Sequence, residues 1–146
     1  MNDATQSNAT ATPAGTGEVV ELSSEAFGRT IPNHPSAIVD FWAPWCAPCR
    51  AFAPVFAQAA GKHPDILFAK VNTDAEQDLA GHFNIRSIPT LMVFRESVIV
   101  FSQPGALSAG ALEQVIASAK ELDMAAVHRE MAAAESSSAP AEQSNR

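Results

Sequence analysis

The sequence predicts an α/β fold, a central mixed sheet of about five strands flanked by helices on both faces. Three observations carry that expectation. Two strand-like apolar runs, Ala37–Trp42 and Asp65–Asn72, are separated by a helix-length segment, as in parallel strands joined by a crossover. Two further β-rich runs, Thr90–Phe94 and Val98–Phe101, are separated by only three residues, as in an antiparallel hairpin. Between and after the strands, apolar residues recur at helical spacing.

Taken in order, Val19–Leu22 reads as a short strand, and Ser23 or Ser24 can cap a helix through Arg29. Ala37–Trp42 is expected to be a buried strand. From Cys46 to about Lys62 a helix turns Phe52, Val55, Phe56, Ala59 and Ala60 inward, and Pro54, with no N–H to donate, must bend it. Asp74 and Gln77 have the spacing of a capping box, opening a helix that ends near Asn84. The hairpin turn Arg95-Glu96-Ser97 lacks the usual Asn-Gly and is expected to reverse the chain by another turn type. Ser108 caps a last helix in which Leu112, Val115, Ala119, Leu122 and Ala126 alternate at steps of three and four. That helix is expected to continue unbroken past Leu122 through Met124, Val127 and Met131.

The resulting organisation is a disordered N-terminal tail (1–17), one domain (18–122), an extension of the last helix (123–134) and a disordered C-terminal tail (135–146). A chain of 146 residues, 47% hydrophobic, can bury one respectable core. The net charge of −7 argues against nucleic acid or an anionic membrane surface as a partner. The N-terminus lacks the positive and apolar regions of a signal peptide, and no apolar run approaches membrane-spanning length, so a cytoplasmic location is expected.

Chemistry concentrates in Trp45-Cys46-Ala47-Pro48-Cys49, which holds both cysteines of the chain at the junction of a strand and a helix. A thiol attacks a disulfide as its thiolate, and a helix N-terminus favours negative charge because its first N–H groups lack intrahelical partners. Cys49, one turn after Cys46, is within reach of a disulfide to it, so one cysteine can attack and the other resolve the mixed disulfide. Zinc is the weaker alternative, because His34, His63, His82 and His128 have no ligand spacing relative to the pair. A purely structural disulfide closing so small a loop would constrain the unfolded chain very little. Two cysteines confined to one reactive motif also suit a reducing compartment.

Over roughly residues 18 to 122 the chain resembles the thioredoxin family. The resemblance rests on Val39-Asp40-Phe41-Trp42-Ala43, on Trp45-Cys46-x-Pro48-Cys49, on Pro54, on Lys70-Val71-Asn72-x-Asp74, on Ile85-Arg86-x-Ile88-Pro89-Thr90 and on Gly105-Ala106-Leu107-Ser108, in unbroken order. It implies the thioredoxin fold, with Cys46 as an exposed attacking thiol and Cys49 as a buried resolving thiol. It further implies Asp40 as buried proton acceptor for Cys49 with Lys70 nearby, a cis bond before Pro89, and an apolar client-binding rim of Trp45, Ala47, Pro48, Ile88, Pro89, Gly105 and Ala106. The implied activity is cytosolic protein-disulfide reduction by a monomer that binds no cofactor or metal. Its electrons would come from NADPH through a flavin-containing thioredoxin reductase, and its partners would be that reductase and disulfide-containing clients. Ala47 and Ser87 stand where glycine is usual, which leaves a more specialised reductant or isomerase as one alternative. A redox-inert binding or holdase module is another.

Overall fold

A computed structural model of the chain describes residues 15–144, with side chains through 136. Five strands, β1 (Val19–Glu21), β2 (Ser36–Trp42), β3 (Leu67–Asn72), β4 (Thr90–Arg95) and β5 (Val98–Pro104), form one sheet in the order β1-β3-β2-β4-β5. β3 runs parallel to both β1 and β2, whereas β4 is antiparallel to β2 and β5. The helices are α1 (Ser24–Thr30), α2 (Ala47–Lys62), α3 (Gln77–His82), α4 (Ala109–Glu121) and α5 (Met124–Ser144). The mixed sheet with helices on both faces is the architecture expected.

Two apolar layers sandwich the sheet, and strand alternation assigns side chains to them. Ile38, Phe68, Leu91 and Val93 meet Phe52 and Phe56 of α2 and Leu112 and Ile116 of α4. Ala37, Val39, Phe41, Ala69, Val71, Met92 and Phe94 form the opposite layer, with Phe27 of α1 and Leu79 of α3. Ser23 and Ser108 do cap their helices, accepting from the N–H groups of Ala26 and Ala111 at 3.1 Å each. Pro54 lies inside α2.

Three expectations are corrected. Asp74 does not cap α3. Its carboxylate accepts from Trp45 instead, and Glu76, at the N-cap, makes no side-chain cap and accepts from the Ser24 N–H and hydroxyl at 2.9 and 3.1 Å. The hairpin turn keeps the geometry an Asn-Gly would have supplied, because Glu96 and Ser97 both take positive φ, 52° and 67°. Positive φ at both central residues is the mark of a type I′ turn, whose twist matches that of the strands.

The last helix is two helices. Leu122 is extended (ψ 136°), and the Asp123 side chain accepts from the Ala126 N–H at 3.2 Å, so α5 starts anew. The Arg95 guanidinium donates to the Ala119 carbonyl, satisfying part of the end of α4. Apolar spacing missed the break because Met124, buried, resumes the pattern on the far side. The backbone of α5 is helical to Ser144. Of the expected N-terminal tail, residues 1–14 lie outside the described residues, and Gly15 packs so closely on the Ile66 carbonyl that a Cβ there would collide with it.

Candidate active site

β2 ends at Trp42, and the loop Ala43-Pro44-Trp45 delivers Cys46 to the N-cap of α2. There the Cys46 sulfur accepts the Cys49 N–H at 3.2 Å, one of the donors that a helix N-terminus leaves unpaired. The two cysteines are joined in a disulfide with their Cα atoms 5.2 Å apart. Arg50 donates to the Pro44 carbonyl at 3.1 Å and clamps the loop from the first turn of the helix.

The expected contrast between an exposed and a buried cysteine is absent in this oxidised form. Cys46 is 3% and Cys49 2% exposed. Each bonded sulfur covers the other, and Ala43, Trp42 and Ile88 pack around them. Exposure belongs to the surrounding residues: Trp45 is 66% exposed, and Ala47 and Pro48 are exposed as well.

The opposite wall comes from the start of β4 and the end of β5. The Ile88–Pro89 peptide is cis, and the Ile88 carbonyl oxygen lies 3.8 Å from the Cys46 sulfur. Ile88 is half-buried and Pro89 is buried beneath it, while Gly105 and Ala106 are exposed. The Gly105 N–H donates to the Pro89 carbonyl at 2.7 Å, with Gly105 at φ 104°, a conformation that favours glycine. Buried Thr90 adds a hydroxyl bond to the Ser87 carbonyl at 2.6 Å. Of the expected rim residues, Ile88, Pro89 and Gly105 are thus tied together beside the disulfide.

Asp40 shares the face of β2 that carries Ile38 and Trp42, between the phenylalanine layer of α2 and the disulfide cluster. It is 3% exposed, and among the described residues its Oδ1 has no hydrogen-bond partner. Burial pushes its carboxyl up from the usual 3.8 to about 7, with the Lys70 charge opposing the rise and the Glu21 charge adding to it. Lys70 is the Cα partner of Asp40 across the β2–β3 ladder.

Two residues at the site escaped sequence reasoning. Asp74 accepts from the Trp45 indole at 2.7 Å and holds the exposed ring beside Cys46. Glu21 accepts from the Trp42 indole at 3.2 Å and approaches the Lys70 ammonium at 4.0 Å. Asp74 carried a misleading signal, the cap spacing, and Glu21 carried none beyond being an acid in an apolar strand. Among the described residues no group of three metal-ligating side chains gathers.

The sequence model of the Thioredoxin family matches residues 18–118. "Putative thioredoxin 2" of Streptomyces coelicolor is 50% identical over 113 residues, 77% of this chain and 84% of that protein. "Thioredoxin C-3" of Corynebacterium nephridii is 41% identical over 98 residues, 66% of this chain and 68% of that protein. Among solved structures, a mutant thioredoxin from Halobacterium salinarum superposes with a TM-score of 0.69 at 29% identity, covering 75% of this chain and 96% of that one.

Proposed function

The chain belongs to the thioredoxin family of thiol-disulfide oxidoreductases, and from that premise we propose that it is a cytoplasmic protein-disulfide reductase cycling Cys46 and Cys49 between dithiol and disulfide. The observation that carries the reading is the Cys46 sulfur at the N-cap of α2, accepting the Cys49 N–H. A donor already aimed at that sulfur stabilises a thiolate there once the disulfide is reduced.

In the reaction, the Cys46 thiolate attacks one sulfur of a client disulfide and the other client sulfur leaves as a thiolate, which takes a proton from water. Cys49 then gives its proton to the Asp40 carboxylate and attacks the Cys46 sulfur. The second client sulfur leaves, so two electrons have passed to the client and the Cys46–Cys49 disulfide remains. Lys70 sets how readily Asp40 ionises. Trp45, Ala47, Pro48, Ile88, Pro89, Gly105 and Ala106 receive the client, whose extended segment pairs with the free backbone at Ile88 as an added strand. NADPH, through a flavin-containing thioredoxin reductase, restores the dithiol.

Reduction of insulin disulfides tests this. Turnover is expected with dithiothreitol and with NADPH plus thioredoxin reductase. No turnover with either overturns the reductase reading, whereas turnover with dithiothreitol alone overturns only the electron source.

A further inference from the structure

Three strands place an acid, a base and an acid in one transverse row. Glu21 of β1 is the Cα partner of Lys70 of β3, and Lys70 is the partner of Asp40 of β2. All three lie on the face of the sheet that carries Val19, Phe68 and Ile38, beneath α2. The row continues on β4 as Leu91, which does not titrate. The titratable groups that act on Asp40 are therefore Lys70 from β3 and Glu21 one strand further out.

Lys70 divides unequally between the two acids. Its ammonium reaches Glu21 Oε1 at 4.0 Å and sits 4.4 Å from the centre of the Trp42 ring, whereas no ion pair within 4.0 Å joins it to Asp40 among the described residues. The second Glu21 oxygen accepts the Trp42 indole N–H at 3.2 Å. Glu21 thus engages the ammonium and the ring it rests on at once, one oxygen to each. Both Lys70 and Glu21 keep a third or more of their side chains exposed, so the contact at that end costs little desolvation, while Asp40 is buried.

We propose that Glu21 is a positioning residue for the proton transfer at Asp40, holding Lys70 and Trp42 at the open end of the row so that the ammonium does not form a close ion pair with the buried carboxylate. The proposal rests on the reading of Asp40 as proton acceptor for Cys49. A closely paired Asp40 would remain ionised well into acid and be a weaker base, whereas a carboxylate left at arm's length from Lys70 takes the proton more readily near neutral pH.

Two measurements on the full chain test it, carboxyl NMR titration of Asp40 in the oxidised protein and the pH profile of client release from a preformed Cys46 mixed disulfide. Glu21→Gln keeps an acceptor for the Trp42 indole but removes the charge, and is expected to lower the Asp40 midpoint by about half a pH unit, roughly a threefold change in its ionisation ratio. The release profile should move by the same amount, and Glu21→Asp should stay near the parent in both. An Asp40 midpoint unmoved in Glu21→Gln, or moved equally in Glu21→Asp, overturns the positioning role and leaves Asp40 as acceptor. A midpoint that moves while the release profile stays overturns Asp40 as acceptor, and with it the role of Glu21 in the reaction.

Discussion

The two faces of β2 come from one run of seven residues and meet opposite physical demands. Ala37, Val39 and Phe41 enter a layer in which Phe27, Phe41, Phe83 and Phe94 pack with ring centroids 5.5 to 6.0 Å apart, a close-packed apolar interior. On the other face, Ile38 is followed by Asp40, an acid with one oxygen unpartnered among the described residues, and by Trp42 against the disulfide. One face contributes stability without chemistry. The other holds a reactive sulfur pair and a carboxyl that would be more stable in water, a cost that the first face offsets.

The sharpest way to break that division is at the sulfurs. Cys46→Ser is expected to lower client reduction by roughly three orders of magnitude or more, while Cys49→Ser accumulates mixed disulfides because attack survives and resolution does not. Non-reducing gels after mixing with a disulfide client distinguish the two, and adducts in Cys46→Ser alone would exchange the assigned roles.

On the apolar face, Phe41→Ala should cost about 3 to 5 kcal/mol by chemical denaturation, the range for deleting a buried aromatic side chain. The pH profile of the fraction that stays folded should be unchanged. A displaced profile would mean that the two faces are not separable.

Asp40→Ala should do the reverse. Its carboxyl is raised to about 7 in the folded state, so folding holds the proton more tightly than the unfolded chain does. The resulting penalty is absent below about pH 4, grows as pH rises through the folded value, and is complete above about pH 8. The substitution is therefore expected to stabilise the oxidised protein at pH 8 by up to a few kcal/mol, less the cost of the cavity, with the gain vanishing in acid, and to slow client reduction. A variant destabilised at both pH values with full activity would make Asp40 a structural group.

The smallest effect is expected at the opposite end of the sheet. Truncation after Asp123 removes buried Met124 and the 2.8 Å contact between His128 and Glu96 of the hairpin turn. A loss of about 1 to 3 kcal/mol with unchanged reduction kinetics is the expected outcome by denaturation and insulin assay. Altered kinetics would show that α5 reaches the dithiol chemistry after all.

What was legible in the sequence is what acts over a few residues. The cysteine spacing, the caps at Ser23 and Ser108, the alternation along β2 and the apolar spacing of α2 each depend on contacts within a turn or two, so residue order alone determined them. Local signals misled where a distant partner competed for the same group. Asp74 has the spacing of a cap and is taken by the Trp45 indole, and the end of α4 has its Ala119 carbonyl taken by Arg95 of β4 although Leu122 keeps the helical period. The positive φ of Glu96 and Ser97 is imposed by the strands they join. The row Glu21–Lys70–Asp40 was decided only by tertiary structure, because it exists once three strands far apart in the chain adopt one register, and no local propensity encodes which residue lies opposite which.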